Sequence, residues 1–230
     1  MQKAKPTLFS TPMVQAILRG VDPKTMTRRV IKLPNWMEWD ENQRITMRCE
    51  DSAYADQDPV HLFEQGYLEC PYGKPGDILW VRETWGNYSY DDTESNAVYF
   101  MYRADYPDDA QGYWYEKEQI NWCDFPRWRS SRYMPKAAAR IFLRVKSVRV
   151  ERLQDIKFWD AQKEGCPRCI GISECGGGCE VCESNNPIEW FRQLWNSINA
   201  DRGFGWDTNP WVWAITFERC DKPAGWPGRG

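Results

Sequence analysis

A short segment near the amino terminus places a lysine, a threonine and two arginines within six positions, Lys24-Thr25-Met26-Thr27-Arg28-Arg29. A lysine can act as a base when burial or neighbouring cations lower its pKa. A threonine can act as a nucleophile when a base takes its proton. Arginine can hold an anion or a planar polar group, so Arg28 and Arg29 are candidates for substrate binding. The alternative is a basic turn that pairs with carboxylates at the surface.

The chain contains a single histidine, His61. A multi-histidine metal site therefore cannot be built within this chain. A Ser-His-Asp triad or a Cys-His dyad would have to use His61, which lies in a polar segment without a supporting motif. We expect acid–base chemistry to be carried by Lys, Glu, Asp or Tyr, and His61 to lie at the surface.

The elements predicted around the Lys24 segment are a helix before it and a strand after it. Thr11-Pro12 is typical of a helix start, because a capping hydroxyl precedes a proline at the first position. The helix is expected to run to about Arg19 and to end at Gly20. Val30-Ile31 is expected to enter a strand.

Further along the chain, alternating hydrophobic patterns predict strands and helical spacing predicts helices. The predicted strands cover 78–85, 97–103, 139–150 and 211–217, and the predicted helices cover 153–164 and 187–199. A change of hydrophobic parity predicts a bulge near Lys146-Ser147. Separated strands with few helices predict an α+β protein, a small mixed β-barrel with flanking helices and long loop insertions at about 35–70 and 86–135.

Five of the nine cysteines lie between positions 166 and 182. Two Cys-x-x-Cys pairs suit a tetrahedral zinc site with four thiolate ligands. The predicted ligands are Cys166, Cys169, Cys179 and Cys182, with Cys175 as an alternative ligand. Such a closed site is structural and not catalytic, and it would stabilise a small zinc-binding insertion over 166–186. The alternative is a loop of reduced thiols.

Length and composition bound the class of protein. The 230 residues suffice for one large domain, expected over 1–220, followed by a flexible Gly/Pro-rich tail at 221–230. No apolar run approaches the length of a membrane span, and no signal peptide is recognisable at the amino terminus. Cysteine usage favours a reducing compartment. We therefore expect a cytoplasmic protein without a membrane partner.

The charge is small overall but unevenly distributed. The net charge is −3, which argues against simple electrostatic clamping of a long nucleic acid. Residues 127–152 nevertheless hold nine Lys or Arg against Glu151 alone, a net charge of +8. Aromatic side chains beside arginines can stack on bases. The candidate nucleic-acid-binding residues are Arg127, Trp128, Arg129 and Arg132. The alternative for the tryptophans in this region is loop packing.

Four sequence blocks, in order, resemble the ASCH domain family of PUA-like β-barrels. The blocks are the Lys24-to-Arg29 segment after Gly20, the run Pro75-Gly76-Asp77-Ile78-Leu79-Trp80-Val81, the segment Val150-Glu151-Arg152-Leu153 leading into Asp160-Ala161-Gln162-Lys163-Glu164-Gly165, and the closing strand at 210–217. ASCH-like proteins of phages and prophages are similar over most of the chain outside the loops. Compact bacterial ASCH enzymes are similar over about half of it.

The resemblance implies an amidohydrolase that removes the acetyl group from N4-acetylcytidine or a similar acylated nucleoside or base. The family's lysine, threonine and glutamate fall on Lys24, Thr27 and Glu164, and its arginine falls on Arg29. Thr27 would attack the acyl carbon while Lys24 takes its proton. Glu164 would assist proton transfer or hold the leaving amine. Arg29 would orient the base or stabilise developing negative charge.

Two other functions stay open. PUA-like barrels often recognise RNA, so the same pocket can read a modified base in RNA or single-stranded nucleic acid without catalysis. The chain can also be a phage accessory protein whose zinc loop docks a protein partner.

Overall fold

The computed structural model describes residues 3–47, 57–89, 98–106, 128–167 and 186–227. The strands in these ranges are β1 (Ala4–Leu8), β2 (Met26–Val30), β3 (Met37–Trp39), β4 (Ile45–Met47), β5 (Ile78–Arg82), β6 (Trp85–Ser89), β7 (Val98–Tyr102), β8 (Phe142–Arg152) and β9 (Trp211–Cys220). The α-helices are α1 (Thr11–Leu18), α2 (Pro59–Glu64), α3 (Phe158–Lys163) and α4 (Pro187–Asn199). Short 3-10 turns occur at Arg103–Asp105, Ser131–Tyr133, Lys136–Ala138, Leu153–Asp155, Ala200–Arg202 and Trp206–Thr208.

A mixed five-stranded sheet is the main element of the fold, with strand order β1-β5-β8-β9-β2. Strand β1 pairs with β5 in parallel, whereas β5–β8 and β2–β9 are antiparallel. Two hairpins, β3–β4 and β6–β7, form separate two-stranded sheets. The predicted α+β class with a mixed sheet and few helices is confirmed, and no closed barrel forms within the described ranges.

The chain divides into two compact units. The first is drawn from Met1–Pro23, Gly76–Arg144 and Glu218–Gly230. Its core is aromatic: the Trp226 ring meets the rings of Trp80 and Phe142 edge-on, at centroid distances of 5.8 and 4.9 Å. These residues belong to a larger buried cluster, Ile78, Trp80, Trp85, Tyr102, Met134, Ala138, Ala139, Phe142 and Trp226.

The second unit is drawn from Lys24–Pro75 and Val145–Phe217. Helix α4 begins at a proline after Asn186, whose side chain accepts a hydrogen bond from the Ile188 amide at 3.0 Å. Phe191 and Trp195, one helical turn apart, are buried with α3 and the 3-10 turn that precedes it. The buried cluster is Leu153, Ile156, Ala161, Phe191, Trp195 and Val212. This packing fixes α3, the helix that ends directly before Glu164.

Several local predictions were wrong in their bounds. The strand expected to begin at Val30 begins at Met26, so the Lys24 segment leads directly into β2. Helix α1 ends about where it was expected, at Leu18 with Arg19 as its C-cap, but its N-cap is Ser10 and not Thr11, and Ser10 makes no side-chain cap bond. The helix expected over 153–164 is a 3-10 turn followed by the shorter α3.

The region 35–70, expected to be a loop insertion of turns and short strands, also contains helix α2. Asp58 caps this helix, because its side chain accepts a hydrogen bond from the Val60 amide at 2.7 Å. His61 lies on α2 and is exposed, as predicted. None of the helices in the described part of the chain is long and apolar enough to cross a membrane.

Candidate active site

The centre of the candidate site is a buried ion pair between Lys24 and Glu164. The Lys24 ammonium nitrogen, Nζ, donates to Glu164 Oε2 at 2.7 Å and to the Glu164 backbone carbonyl at 2.5 Å. The two side chains are 2% and 3% exposed. The pair joins residues 140 positions apart, so tertiary structure and not local sequence brings them together.

Backbone hydrogen bonds next to Lys24 hold it in place. The Thr25 amide donates to the Lys163 carbonyl at 2.9 Å, and the Thr25 carbonyl accepts from the Phe217 amide at 2.8 Å. These bonds tie the entry of β2 to the end of α3 on one side and to β9 on the other. Lys24 therefore projects from a segment that is held on both sides.

The environment of Lys24 shifts its proton equilibrium toward the neutral amine, relative to an exposed lysine. Burial lowers the pKa of Lys24 below its ordinary value; Glu164 opposes this shift, and the nearby charges of Arg29 and Arg28 add to it. A lysine in this state is able to accept a proton at a pH where an exposed lysine cannot. Perturbed pKa values are more frequent at functional sites than elsewhere.

The side chains of Met26 to Arg29 lie on two opposite faces of strand β2. Met26 and Arg28 share one face, because Arg28 Nη1 lies 3.3 Å from Met26 Sδ. Side chains alternate along a strand, so Thr27 and Arg29 belong to the other face. Thr27 lies opposite Ile215 of β9 and is 5% exposed. The candidate nucleophile and one arginine therefore share a face, and the second arginine is separated from them.

Arg29 lies beside the aromatic ring of Tyr72, and its positive charge interacts with the carboxylate of Glu164. Its guanidinium lies 6.0 Å from the centroid of the Tyr72 ring. Burial lowers the pKa of Arg29, and Tyr72 and Glu164 oppose the shift. Arginine stays protonated despite such a shift, so Arg29 supplies positive charge on the Thr27 face.

Arg28 is enclosed by carboxylates. Its Nη1 donates to Glu164 Oε1 at 3.1 Å, its Nε and Nη2 donate to Glu151 Oε1 at 2.9 and 2.6 Å, and its Nη2 also reaches Asp160 Oδ2 at 3.5 Å. The Arg28 side chain has 0% exposure. The structure thus places this predicted substrate-binding residue inside an ionic network.

The candidate nucleic-acid residues that are described belong to the first unit. The Trp128 ring packs against Tyr106, with centroids 5.9 Å apart, and Arg103 lies over it at 5.9 Å, as the loop-packing alternative predicts. Arg129 and Arg132 are exposed. Arg127 lies outside the described residues.

Of the predicted zinc ligands, Cys166 alone is described. It is buried, and its Sγ lies 3.6 Å from the Pro167 carbonyl oxygen. The other predicted ligands, Cys169, Cys179 and Cys182, and the alternative ligand Cys175 lie outside the described ranges, as does most of 166–186. Within those ranges, no group of three or more His, Cys, Asp or Glu side chains is arranged to hold a metal ion.

Three residues of the site were not singled out from the sequence. Glu151 and Asp160 lie in blocks that resemble the ASCH family, but no spacing linked them to Arg28, which is 123 and 132 positions away. Tyr72 lies just after the 35–70 region, and no sequence signal identifies it as a site residue. In each case the informative observation is the tertiary contact itself.

Comparisons of the chain with family models, with curated proteins and with solved structures find no match.

Proposed function

We propose that the protein is an amidohydrolase that removes an acyl group from an exocyclic amine of a nucleoside or base, with N4-acetylcytidine as the type substrate. The observation that carries the proposal is the buried Lys24–Glu164 pair, with Thr27 three positions after Lys24 on the same chain segment and also buried. The sequence resemblance to the ASCH family adds support, and with it we propose a PUA-like relationship for the sheet. A basic turn at the surface would not bury its lysine against a carboxylate.

The proposed reaction runs in two steps on the Thr27 face of β2. Neutral Lys24 takes the proton of the Thr27 hydroxyl, and the hydroxyl oxygen attacks the acyl carbon. The bond between that carbon and N4 breaks, and the leaving nitrogen takes the proton back from the Lys24 ammonium. Water then attacks the threonine ester and loses a proton to Lys24. The bond between the acyl carbon and Thr27 Oγ breaks, Oγ takes the proton back from the Lys24 ammonium, and the carboxylic acid is released.

Glu164 and Arg29 have distinct roles in this scheme. Glu164 holds the Lys24 ammonium through Oε2 while the proton is in transit, and the Glu164 backbone carbonyl fixes the same nitrogen. Arg29 belongs to the Thr27 face, where its positive charge stabilises the oxyanion of each tetrahedral intermediate or orients the base. The charge of Arg29 also disfavours the protonated form of Lys24.

The test is chromatographic. Purified protein is incubated with N4-acetylcytidine, and cytidine is quantified for the wild type, for Lys24→Ala and for Lys32→Ala. Lys32, an exposed lysine two residues after β2, is the matched control. Cytidine release by the wild type and by Lys32→Ala, but not by Lys24→Ala, supports the proposal. Equal release by all three proteins contradicts the role of Lys24.

A second candidate function is single-stranded nucleic-acid binding by the first unit. It is favoured by the exposure of Arg129 and Arg132, next to Tyr133, which is 72% exposed. Cationic and aromatic side chains together bind single strands by charge and stacking. Fluorescence anisotropy with a labelled oligoribonucleotide should show salt-sensitive binding that Arg129→Ala and Arg132→Ala weaken. Binding equal to that of the exposed-arginine control Arg219→Ala would count against this candidate.

We also propose a structural zinc ion held by the cysteine pairs. The donor set fits, because four cysteine thiolates at this spacing are a common zinc ligand set. Cys166, at the start of the cluster, is already buried. The ion would stabilise the fold of the insertion and supply no step of the hydrolysis.

A further inference from the structure

We propose that Arg28 is a positioning residue that holds Glu164 against Lys24, and that it does not contact the substrate. This inference deepens the proposed function and rests on it for its catalytic meaning. The structural part concerns the Lys24–Glu164 pair alone. It can therefore be tested without a substrate.

The geometry leaves Arg28 no free face for a ligand. All three guanidinium nitrogens have partners: Nε contacts Glu151, Nη1 contacts Glu164 and Met26, and Nη2 contacts Glu151 and Asp160. The Phe191 ring lies on its face, with the guanidinium carbon 5.7 Å from the ring centroid. With the side chain at 0% exposure, the guanidinium acts within the protein.

Arg28 and Lys24 each bind one oxygen of the Glu164 carboxylate. Oε1 accepts from Arg28 at 3.1 Å, and Oε2 accepts from Lys24 at 2.7 Å. With one oxygen committed to Arg28, the carboxylate cannot turn both oxygens toward Lys24. Arg28 thus fixes the orientation of Glu164 and limits how strongly Glu164 holds the proton on Lys24.

Glu151 and Asp160 hold Arg28 in place from the other side. Both acids are also contacted by Arg149, whose Nη2 lies 3.2 Å from Glu151 Oε2 and 2.9 Å from Asp160 Oδ2. Arg149 is 44% exposed, and within the described part of the chain it binds Glu151 and Asp160 but not Glu164. Arg149 therefore provides a control, because it binds the same two acidic side chains as Arg28 but does not bind Glu164.

The charged groups that face Lys24 are Glu164 at the end of α3 and Arg28 and Arg29 on β2. Removing the charge of Arg28 eliminates one neighbouring cation and leaves Glu164 to pair with Lys24 alone. Both changes favour the Lys24 ammonium, so the pKa of Lys24 should rise. The neutral base would then appear only at higher pH, and the acidic limb of the activity profile should move in the same direction.

The experiment compares the wild-type chain with Arg28→Gln, Arg28→Lys and Arg149→Gln. The titration of Lys24 is followed without substrate, by the pH dependence of its labelling with an acylating reagent read by peptide mass spectrometry. The pH profile of kcat/KM for N4-acetylcytidine is then measured on the same proteins. Arg28→Gln should move both curves to higher pH by about one unit, whereas Arg149→Gln should leave them in place.

Arg28→Lys keeps the charge but loses the forked geometry. It should give a smaller shift in the same direction, and it serves as the test where Arg28→Gln does not fold. Unchanged Lys24 labelling in both Arg28 variants would overturn the proposal, as would a raised KM with an unmoved pH profile, the signature of a substrate contact. A shifted labelling curve in proteins that all lack hydrolysis would uphold the positioning role and refute the proposed reaction.

Discussion

At the scale of single residues, the Lys24 segment pairs with carboxylates, as the basic-turn interpretation predicts, but it does so in a buried environment and not at the surface. On spacing alone the sequence favoured a basic turn at the surface. Lys24 and Glu164 could be paired in advance only through the family resemblance, because 140 residues separate them. The enclosure of Arg28 could not be predicted, because its partners Glu151 and Asp160 are distant in the sequence and come close to it only in the folded chain.

Stability measurements should show an asymmetry between the two members of the central pair. Glu164→Gln leaves Lys24, Arg28 and Arg29 with one carboxylate fewer in a buried site, and should cost about 3–5 kcal/mol. Lys24→Met should cost less, because Glu164 keeps Arg28 as its partner. Urea denaturation at neutral pH measures both free energies of unfolding. Equal costs, or a larger cost for Lys24→Met, would show that Arg28 does not stabilise the carboxylate.

At the scale of elements, hydrophobic periodicity predicted some elements well and failed where charged side chains are buried. Helix α4 has the bounds that its helical spacing predicted, Pro187–Asn199. Strand β2 was assigned too late, because three of its five residues are Thr27, Arg28 and Arg29. In β8 the burial pattern changes parity between Lys146 and Arg149, as the hydrophobic sequence predicted.

The end of α3 gives a prediction about how an element positions the site. Gly165 has a φ of +103°, a conformation that side chains disfavour, directly after Glu164. Gly165→Ala should destabilise the protein by roughly 1–2 kcal/mol and lower kcat by displacing Glu164. Gly20, which has no atoms within 4 Å of an added Cβ and no positive φ, supplies the control Gly20→Ala. Equal changes of Tm and of kcat in Gly165→Ala and Gly20→Ala would argue against this role for Gly165.

At the scale of the whole molecule, the class of fold was easier to predict than its organisation. The spacing of strand-like segments predicted a mixed sheet, and the sheet is present. The order of its strands and the division into two compact units depend on long-range pairing, such as β2 with β9, that no local pattern specifies. The candidate site lies within one unit, and the candidate nucleic-acid residues belong to the other.

The zinc proposal predicts a measurable metal content for the intact chain. Protein purified without chelator should contain about one zinc ion per chain by elemental mass spectrometry, and chelation should lower the Tm. Cys169→Ser and Cys182→Ser should reduce the zinc content, whereas Cys220→Ser, outside the cluster, should not. Wild-type protein without zinc would refute the proposed ion.

The most direct test of the central claim is cytidine release from N4-acetylcytidine by Thr27→Val compared with Thr27→Ser and the wild type. Valine keeps the shape of threonine and removes the hydroxyl, whereas serine keeps a nucleophilic hydroxyl. We predict that Thr27→Val folds with little change in Tm but releases no cytidine, and that Thr27→Ser retains part of the activity. Release by Thr27→Val at the wild-type rate would contradict a reaction that proceeds through Thr27.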